Sequence, residues 1–231
     1  LFYLFFVSIL ITSCSEEDEV ISTNPNAYNE RVVGYFKEIA LGFEFGNASE
    51  ITRRWEGHMK IFVGGQQTPA LLAELKKIIV EINNLTTTEF MIELVSDTLQ
   101  SNFYIYFGSG NSYASIFPSV SDLVPSNFGL FSVFWDSSNE LIGGYMYVDI
   151  FRANLIEQKH ILREELTQSL GLAKDSDWYS DSIFQQAYSA TTEYSKIDQD
   201  LIRLLYHPKM KIGLDRNEVD VVLRAILLDG I

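Results

Sequence analysis

The sequence predicts an α+β protein in which a five-stranded sheet precedes a mainly helical C-terminal lobe. Several segments repeat apolar residues at intervals of three and four, as amphipathic helices do, and five others are short aromatic and β-branched runs separated by turn residues. The chain has 231 residues, 47% of them hydrophobic. That is enough for one well-filled domain, either as a single unit or as two lobes that share a cleft.

The first elements are expected in the order helix, strand, helix. Apolar residues recur at three and four between Tyr28 and Phe43, which predicts an amphipathic helix. The run "HMKIFVGG" (His58–Gly65) predicts a strand that ends at its glycines. Thr68 and Pro69 are typical of an N-cap and a first helical position, and they should begin a helix that continues to about Asn83.

Four further strands are predicted in "EFMIELVS", "NFYIYFGSG", "GLFSVFWD" and "GGYMYVDI". The glycines of Gly108–Gly110 indicate a turn that fits no dinucleotide-binding fingerprint, and we expect no good helix after it. "VGGQQT" lacks the lysine of a phosphate-binding loop. A long helix over about Leu155–Leu170, an acidic loop, and two closing helices over about Ile197–Tyr206 and Asn217–Leu228 complete the predicted order.

The N-terminal residues have the features of a secreted lipoprotein. Residues 1–13, "LFYLFFVSILITS", carry no charge, and they are shorter than the roughly 20 apolar residues that cross a bilayer, so they match a signal peptide. Because the sequence begins at Leu1, we expect the charged start of that signal to be missing. Ile11–Cys14 resembles a bacterial lipobox, which implies that Cys14 is lipidated; a buried thiol in an ordinary signal region is the alternative.

An acidic run, Ser15–Glu19, follows the cysteine and is typical of a disordered tether. We therefore assign residues 14–27 to the lipidated cysteine and its tether, and residues 28–231 to the folded domain. In some Gram-negative bacteria, acidic runs at this place resemble surface-export signals. The expected location is the outer membrane, with the domain either periplasmic or exposed at the surface.

The net charge of −14 limits the partners that the protein is expected to bind. Seventeen basic residues stand against thirty-one acidic ones, so the phosphate backbones of nucleic acids would be repelled. The partners that we expect are the membrane, through the lipid on Cys14, and an extended peptide or another envelope protein.

The segment "ILREELTQSLGLAKDSDW" contains the candidate functional helix. Helical residues four apart share a face, so His160, Glu164 and Gln168 lie together. The opposite stripe, which should pack against the sheet, contains Leu162, Leu166 and Leu170. On this pattern alone, the polar face is simply the side of the helix that contacts water.

This helix and the chain after it, Glu164–Pro208, resemble the motifs of metzincin-type metalloproteases, which carry H-E-x-x-H-x-x-G-x-x-H, and the order of elements from about residue 28 onward resembles theirs as well. Glu165 takes the place of the catalytic glutamate, Gly171 that of the turning glycine, and Phe184 in "SIF" that of the methionine in the Met-turn. "DQDLIRLLYHP" (Asp198–Pro208) is similar to the closing helix. The resemblance implies a zincin-like (metzincin-type) domain with a mixed five-stranded sheet and an active-site-type helix.

A closer resemblance is to a bacterial secreted and lipoprotein family that is catalogued as a domain of unknown function, number 2927. Its pattern is E-E-x-x-Q-x-L-G-L with an acidic residue soon after, then S-I-F, then an aspartate and an LLY-x-P helix. "EELTQSLGLAKDS", "SIF" and "DLIRLLYHPKMKIG" carry that pattern here. This resemblance implies a zincin-like fold without an established activity.

The metzincin zinc-ligand positions hold Glu164, Gln168 and Lys174. An amide oxygen is a weak zinc ligand, and an ammonium group donates hydrogen bonds instead of coordinating. We therefore expect no zinc. Oxygen ligands suit calcium or magnesium better than zinc, so the alternative is an oxygen site for one of these ions built from Glu164, Gln168 and Asp175. Asp175 is one residue out of register and would need a shifted loop to reach it.

Without a metal, Glu164 and Gln168 are expected to be hydrogen bonded to Lys174 or to hydroxyl groups of the Ser182 loop. Phe184 is expected to line the same cleft. The leading hypothesis is a lipid-anchored envelope protein with a degenerate metalloprotease-like fold, acting as a non-catalytic peptide- or protein-binding module.

The resemblance also points to an antiparallel edge strand, which in active relatives accepts an extended substrate. Here that strand would be Leu130–Trp135. The alternative hypothesis is a hydrolase that uses Glu165 as a general base with a non-standard metal or none. A third is a purely structural lipoprotein whose groove is filled and whose edge strand is covered.

Overall fold

The structure, a computed structural model, describes residues 25–187 and 189–230. The predicted signal peptide, Cys14 and the acidic run Ser15–Glu19 lie outside the described residues. The α+β class and the mixed five-stranded sheet are confirmed. In the described part of the chain, no helix has the length and apolar character needed to span a bilayer.

The five strands form one sheet in the order β2-β1-β3-β5-β4. Their bounds are β1 Met59–Gly65, β2 Ile92–Leu94, β3 Phe103–Gly108, β4 Gly129–Trp135 and β5 Leu141–Asp149. All neighbours are parallel except β4, which runs antiparallel to β5. Strand β4 is therefore an edge strand, as predicted, and within the described ranges it pairs only with β5.

Within residues 25–187 and 189–230, six helices accompany the sheet: α1 Pro25–Ala40, α2 Pro69–Leu85, α3 Gly110–Ile116, α4 Leu155–Gln168, α5 Lys196–Leu205 and α6 Arg216–Asp229. Single 3-10 turns occur at Thr98–Gln100 and Pro118–Val120. The predicted cap of α2 is confirmed, because the Thr68 side chain accepts a hydrogen bond from the backbone N–H of Leu71. Helix α1 begins earlier than expected, so residues 25–27 of the predicted tether form its first turn.

The expectation that no helix follows Gly110 is wrong. Ser109 caps α3 by accepting a hydrogen bond from the backbone N–H of Ser112. Within the helix, Tyr113 is fully buried and stacks on Tyr147 with ring centroids 4.5 Å apart. Burial of this aromatic ring stabilises a helix whose sequence has too few residues to show an apolar period.

Most of the apolar side chains form one core. It contains buried residues of β1, β2, β3 and β5 together with those of α1, α2, α4, α5 and α6. A second, smaller cluster contains Tyr113, Val120, Val124, Leu130 and Tyr147. Leu130 belongs to the second cluster while its neighbour Phe131 packs against the first, so alternate side chains of β4 face opposite sides of the sheet.

A buried ion-pair network fixes helix α4 against helix α2. The Arg163 side chain is fully buried, its Nη2 lies 3.1 Å from Glu74 Oε1, and its Nη1 pairs with Glu81. The guanidinium also lies 4.4 Å from the centroid of the Tyr194 ring. The predicted apolar stripe is confirmed, since Leu162, Leu166 and Leu170 are all fully buried. Together these contacts turn the remaining face of α4 towards a cleft.

We predict that Arg163→Met lowers the free energy of unfolding by about 3 kcal/mol, because the nearly buried Glu74 carboxylate then loses its guanidinium partner. Urea unfolding of the purified protein measures this change. Adding Glu74→Gln should recover part of the loss, since it removes the nearly buried carboxylate, which the single variant leaves with only Lys159, at 3.6 Å, as a charged partner. As a matched control, Arg224→Met removes an ion-paired arginine that is 46% exposed and should have a far smaller effect. If the stability loss of the double variant equals the sum of the losses of the two single variants, Arg163 and Glu74 do not interact, which would contradict a buried ion pair.

We also predict that Gly171→Ala is strongly destabilising, by about 3 kcal/mol, for two reasons that add. Gly171 has φ +114°, which L side chains rarely adopt, and a Cβ there would lie 2.0 Å from the carbonyl oxygen of Arg53. Gly46→Ala is the control, since Gly46 has φ +94° but nothing lies within 4 Å of the added atom. Thermal and urea unfolding should separate the two variants. Equal losses would mean that only the backbone conformation matters at Gly171.

Candidate functional site

A cleft of about 850 Å³ lies between the edge strand β4 and the exposed face of α4. Residues 43–48, which follow α1, line the cleft together with residues from the segment between α4 and α5. The cleft also contains Phe128 and Asn127, which precede β4. Its size is in the range of ligand-binding sites in proteins.

The polar face of α4 lines this cleft. His160, Glu164, Glu165 and Gln168 all contribute to the lining. The interpretation of this face as a simple solvent-facing side is therefore wrong, and Gln168 is only 4% exposed. Gln168 Nε2 donates a 2.5 Å hydrogen bond to Asp175 Oδ1. Asp175 thus joins the cleft from outside the helix.

The two residues one turn apart on α4, His160 and Glu164, face each other. His160 Nδ1 donates to the carbonyl oxygen of Thr191 at 2.7 Å, and its Nε2 lies 3.4 Å from Glu164 Oε2. Burial lowers the pKa of His160 and raises the pKa of Glu164 well above its usual value. Both shifts favour the neutral forms, an uncharged imidazole beside a protonated carboxyl group.

The lining of the cleft is rich in carboxyl groups. Its described lining residues include five carboxylate side chains and neither a lysine nor an arginine: Glu44, Glu157, Glu164, Glu165 and Asp175. Burial is the first cause that raises the pKa of Glu165, followed by the charges of Asp175 and Glu44, while a hydrogen bond with the backbone of Phe131 opposes them. Burial also raises the pKa values of Asp175 and Glu44. Each carboxylate makes ionisation of the others harder.

Two of the predicted cleft residues lie elsewhere. Lys174 does not line the cleft; its Nζ lies 3.6 Å from Glu50 Oε1. Phe184 is fully buried in the main core. Both predictions were wrong because the loop after α4 brings Asp175 to the cleft instead of Lys174, and because the aromatic side chain fills the interior beneath the loop.

The Ser182 loop is tied to α5 instead of to α4. Ser182 Oγ donates to Asp198 Oδ1 at 2.6 Å and accepts a hydrogen bond from the Tyr35 hydroxyl at 2.8 Å. Asp198 also accepts from the backbone N–H groups of Ile183 and Ser195. The predicted hydrogen bonds from this loop to Glu164 or Gln168 are therefore wrong, since Ser182 is occupied by a buried structural network.

The backbone of β4 presents hydrogen-bonding groups to the cleft. Val133 is paired with Gly144, whose N–H donates to the carbonyl oxygen of Asn102, beside β3. In an antiparallel ladder, paired residues alternate between pairs that hydrogen bond to each other and pairs that do not. Because the Gly144 N–H points away from β4, Val133 and Gly144 form a pair of the second kind. The N–H and C=O of Val133 therefore point away from β5 and towards the cleft. Phe131 has the same orientation, in agreement with its hydrogen bond to Glu165.

Several site residues were missed from the sequence. Phe43 and Trp135 stack at 5.3 Å between centroids and form an aromatic rim, and the Arg53 guanidinium lies 4.6 Å from the Trp135 centroid. Glu44 comes to the cleft from the loop after α1, far away in sequence. Gly129 leaves room for Glu165, because a Cβ there would lie 2.7 Å from Glu165 Oε1. Only the aromatic character of Phe43 and Trp135 was visible in the sequence.

The donor atoms of the cleft do not fit a zinc centre. Zinc prefers imidazole nitrogen and thiolate ligands, whereas the only nitrogen donor at the ligand-bearing face, His160, is paired with Thr191 and Glu164. The Gln168 amide is directed to Asp175. Across residues 25–187 and 189–230, no group of three or more His, Cys, Asp or Glu side chains is arranged to hold a metal ion.

We predict that the cleft makes the protein less stable as the pH rises. The folded-state pKa values of Glu164 and Glu165 lie above the unfolded value of 4.5, so the folded state retains protons that the unfolded chain has released. Their contribution to stability is present below pH 4.5 and is lost as the pH rises through the raised values.

The double variant Glu164→Gln/Glu165→Gln should therefore be more stable than the wild type at about pH 8, and the difference should shrink towards pH 4.5. Urea unfolding across this range measures it. Glu93→Gln, an exposed carboxylate on β2 at the other edge of the sheet, serves as the control. A double variant with the same pH dependence as the wild type would show that these carboxylates ionise normally.

Known structures give distant matches. Two structures of myroilysin are similar: one is 13% identical over 66% of this chain and 94% of that chain with a TM-score of 0.40, and the other is 12% identical over 74% and 95% with a TM-score of 0.44. A hatching enzyme zinc-protease, HCE-1 from the medaka fish Oryzias latipes, is 14% identical over 66% and 94%, with a TM-score of 0.35. At such TM-scores these likenesses support no argument about function.

The sequence comparison is more informative about family. No match was found among proteins with curated descriptions. Residues 29–225, most of the chain, match the family described as protein of unknown function (DUF2927). This match spans both the cleft-lining helix and the loop and helix segments that hold it in place. The chain therefore belongs to the DUF2927 family.

Proposed function

We propose that the protein is a non-catalytic peptide-binding module that accepts an extended polypeptide segment as an additional strand on β4. One observation carries this proposal: the side of β4 that pairs with no strand among the described residues forms a wall of a cleft of about 850 Å³. An edge strand with outward N–H and C=O groups pairs readily with an extended chain, and proteins use this mode to bind peptides.

The lining of the cleft supports an extended ligand. The N–H and C=O of Val133 face the cleft, which supplies one donor and one acceptor to a bound backbone. The rim formed by Phe43 and Trp135 offers aromatic surface for an apolar side chain of the ligand. Backbone hydrogen bonds would provide affinity, and the side-chain contacts would provide selectivity.

The chemistry of α4 argues against peptide hydrolysis. A zinc peptidase needs three protein ligands and a base for the bound water. The positions of those ligands hold Glu164, a Gln168 whose amide is directed to Asp175, and a Lys174 that lies outside the cleft. Burial and neighbouring carboxylates raise the pKa of Glu165, which favours the protonated form and weakens it as a general base at neutral pH.

We further propose that the module is held at the bacterial envelope by a lipid on Cys14, with residues between Cys14 and α1 as a tether. This placement rests on the lipobox-like "ITSC" and on the acidic run that follows it. A tether of about 10 flexible residues spans roughly 20 Å, which would let the cleft reach ligands away from the lipid surface.

We predict that immobilised protein retains peptides from a pool of randomised heptapeptides and that the retained peptides are recovered intact by mass spectrometry. Val133→Pro should reduce retention at least tenfold, because it removes an N–H that faces the cleft at a position where edge strands tolerate proline. Val133→Thr keeps the N–H and serves as the matched control, and circular dichroism checks that both variants fold.

N-methylated versions of a retained peptide test the same point without changing the protein. Methylation at one set of alternate residues should abolish binding, and methylation at the other set should not, because only every second backbone N–H of an added strand faces β4. Equal effects of both sets would contradict strand addition. Zinc-dependent cleavage of the pool would overturn the non-catalytic assignment and favour a hydrolase, in which Glu165→Gln should then abolish turnover.

A further inference from the structure

We propose that the segment bound on β4 carries a lysine or arginine side chain that faces α4 and places its positive charge among Glu164, Glu165 and Asp175. This inference rests on the proposed function and adds to it the chemical class of the ligand. It is carried by the shape of the cleft, by the orientation of the β4 pleat and by a group of carboxyl side chains among which the described lining has no lysine or arginine.

The pleat of β4 determines which side chains of the ligand would meet the carboxylates. Gly129 lies against Ile161 and Glu165, and Phe131 and Val133 pack against the core that includes α4. Leu130 packs on the other side of the sheet. A strand added beside β4 continues the same pleat, so every second side chain of the ligand points towards α4.

The described lining offers no lysine or arginine to the carboxyl groups on the α4 side, and a cation brought by a ligand would favour their ionised forms. The nearby basic side chains that the structure describes have other contacts: Lys174 lies beside Glu50, and Arg53 donates to the carbonyl oxygen of Ser49 at 2.9 Å. His160 is shifted towards its neutral form by burial. Charge complementarity therefore favours a ligand that brings its own cation.

A long basic side chain also fits the shape of this region. Ile161 and Phe131 line the cleft close to Glu165, and they offer apolar surface to an aliphatic stem. Lysine and arginine bury their stems along such surface while the charged end reaches polar groups. A carboxylate-bearing or short polar side chain at the same place would leave the acidic groups without a counter-charge.

The position of the basic side chain along the strand is also restricted. At the Trp135 end of β4, the Arg53 guanidinium already lies against the indole ring, so a second cation there would be repelled. At the Gly129 end, Glu165 lies directly beside the strand. We therefore place the basic side chain near Phe131, with neutral side chains towards Trp135.

The test uses the randomised heptapeptide pool on the wild-type protein. We expect retained peptides to be at least fivefold enriched in lysine or arginine at one position, and glutamate and aspartate to be depleted there. The most enriched peptide is then made with lysine, glutamine or glutamate at that position and titrated by fluorescence anisotropy. The lysine form should bind at least tenfold more tightly than the glutamine form, and the glutamate form should bind most weakly.

Two variants test whether Glu164 and Glu165 are the groups that the basic side chain of the ligand meets. In Glu164→Gln/Glu165→Gln, the preference for lysine over glutamine should fall below twofold, whereas Glu93→Gln at the opposite sheet edge should keep it. Retention of peptides without basic enrichment would overturn this inference and leave the binding function intact. A preference that persists in the double variant would also overturn it. Absence of any retained peptide would instead overturn the proposed function itself.

Discussion

The buried guanidinium of Arg163 sets the orientation on which the candidate site depends. Successive residues on a helix point about 100° apart, so a side chain fixed on one face determines where its neighbours point. Because Arg163 is held by Glu74 and Glu81 of α2, the rest of α4 cannot rotate without separating a buried ion pair. Glu164 and Gln168 are thereby directed into the cleft. On a solvent-exposed face of the helix, they would hydrogen bond to water instead.

The motif residues of the family fall into two groups with different physical roles. Ser182, Asp198 and Tyr206 are buried, and their hydrogen bonds tie the loop after α4 and helix α5 to the core. Glu164 and Gln168 line the cleft instead. The first group accounts for the fold, and the second group is available for a ligand. Carboxylates held partly away from water raise the free energy of the empty cleft, and a bound cation would offset that cost.

Sequence periodicity predicted the elements that are long or strongly apolar. It failed for elements whose formation depends on tertiary contacts. Helices α1, α2, α4, α5 and α6 were all predicted, with ends displaced by a few residues, because each has an apolar stripe or a recognisable cap. Helix α3 was missed, since its stability depends on the stacking of Tyr113 on Tyr147, which comes from a distant strand. Strand β4 was placed at an edge only through the family resemblance, because pairing order is not a local property.

The sequence by itself determined the α+β class and the helical face that holds His160, Glu164 and Gln168. These follow from the fixed periods of helices and strands. Only the tertiary structure decided that Asp175 enters the cleft while Lys174 turns towards Glu50, and that Glu44 joins the same cleft. The directions of loop side chains have no period, and their neighbours are brought together by chain segments that are distant in sequence.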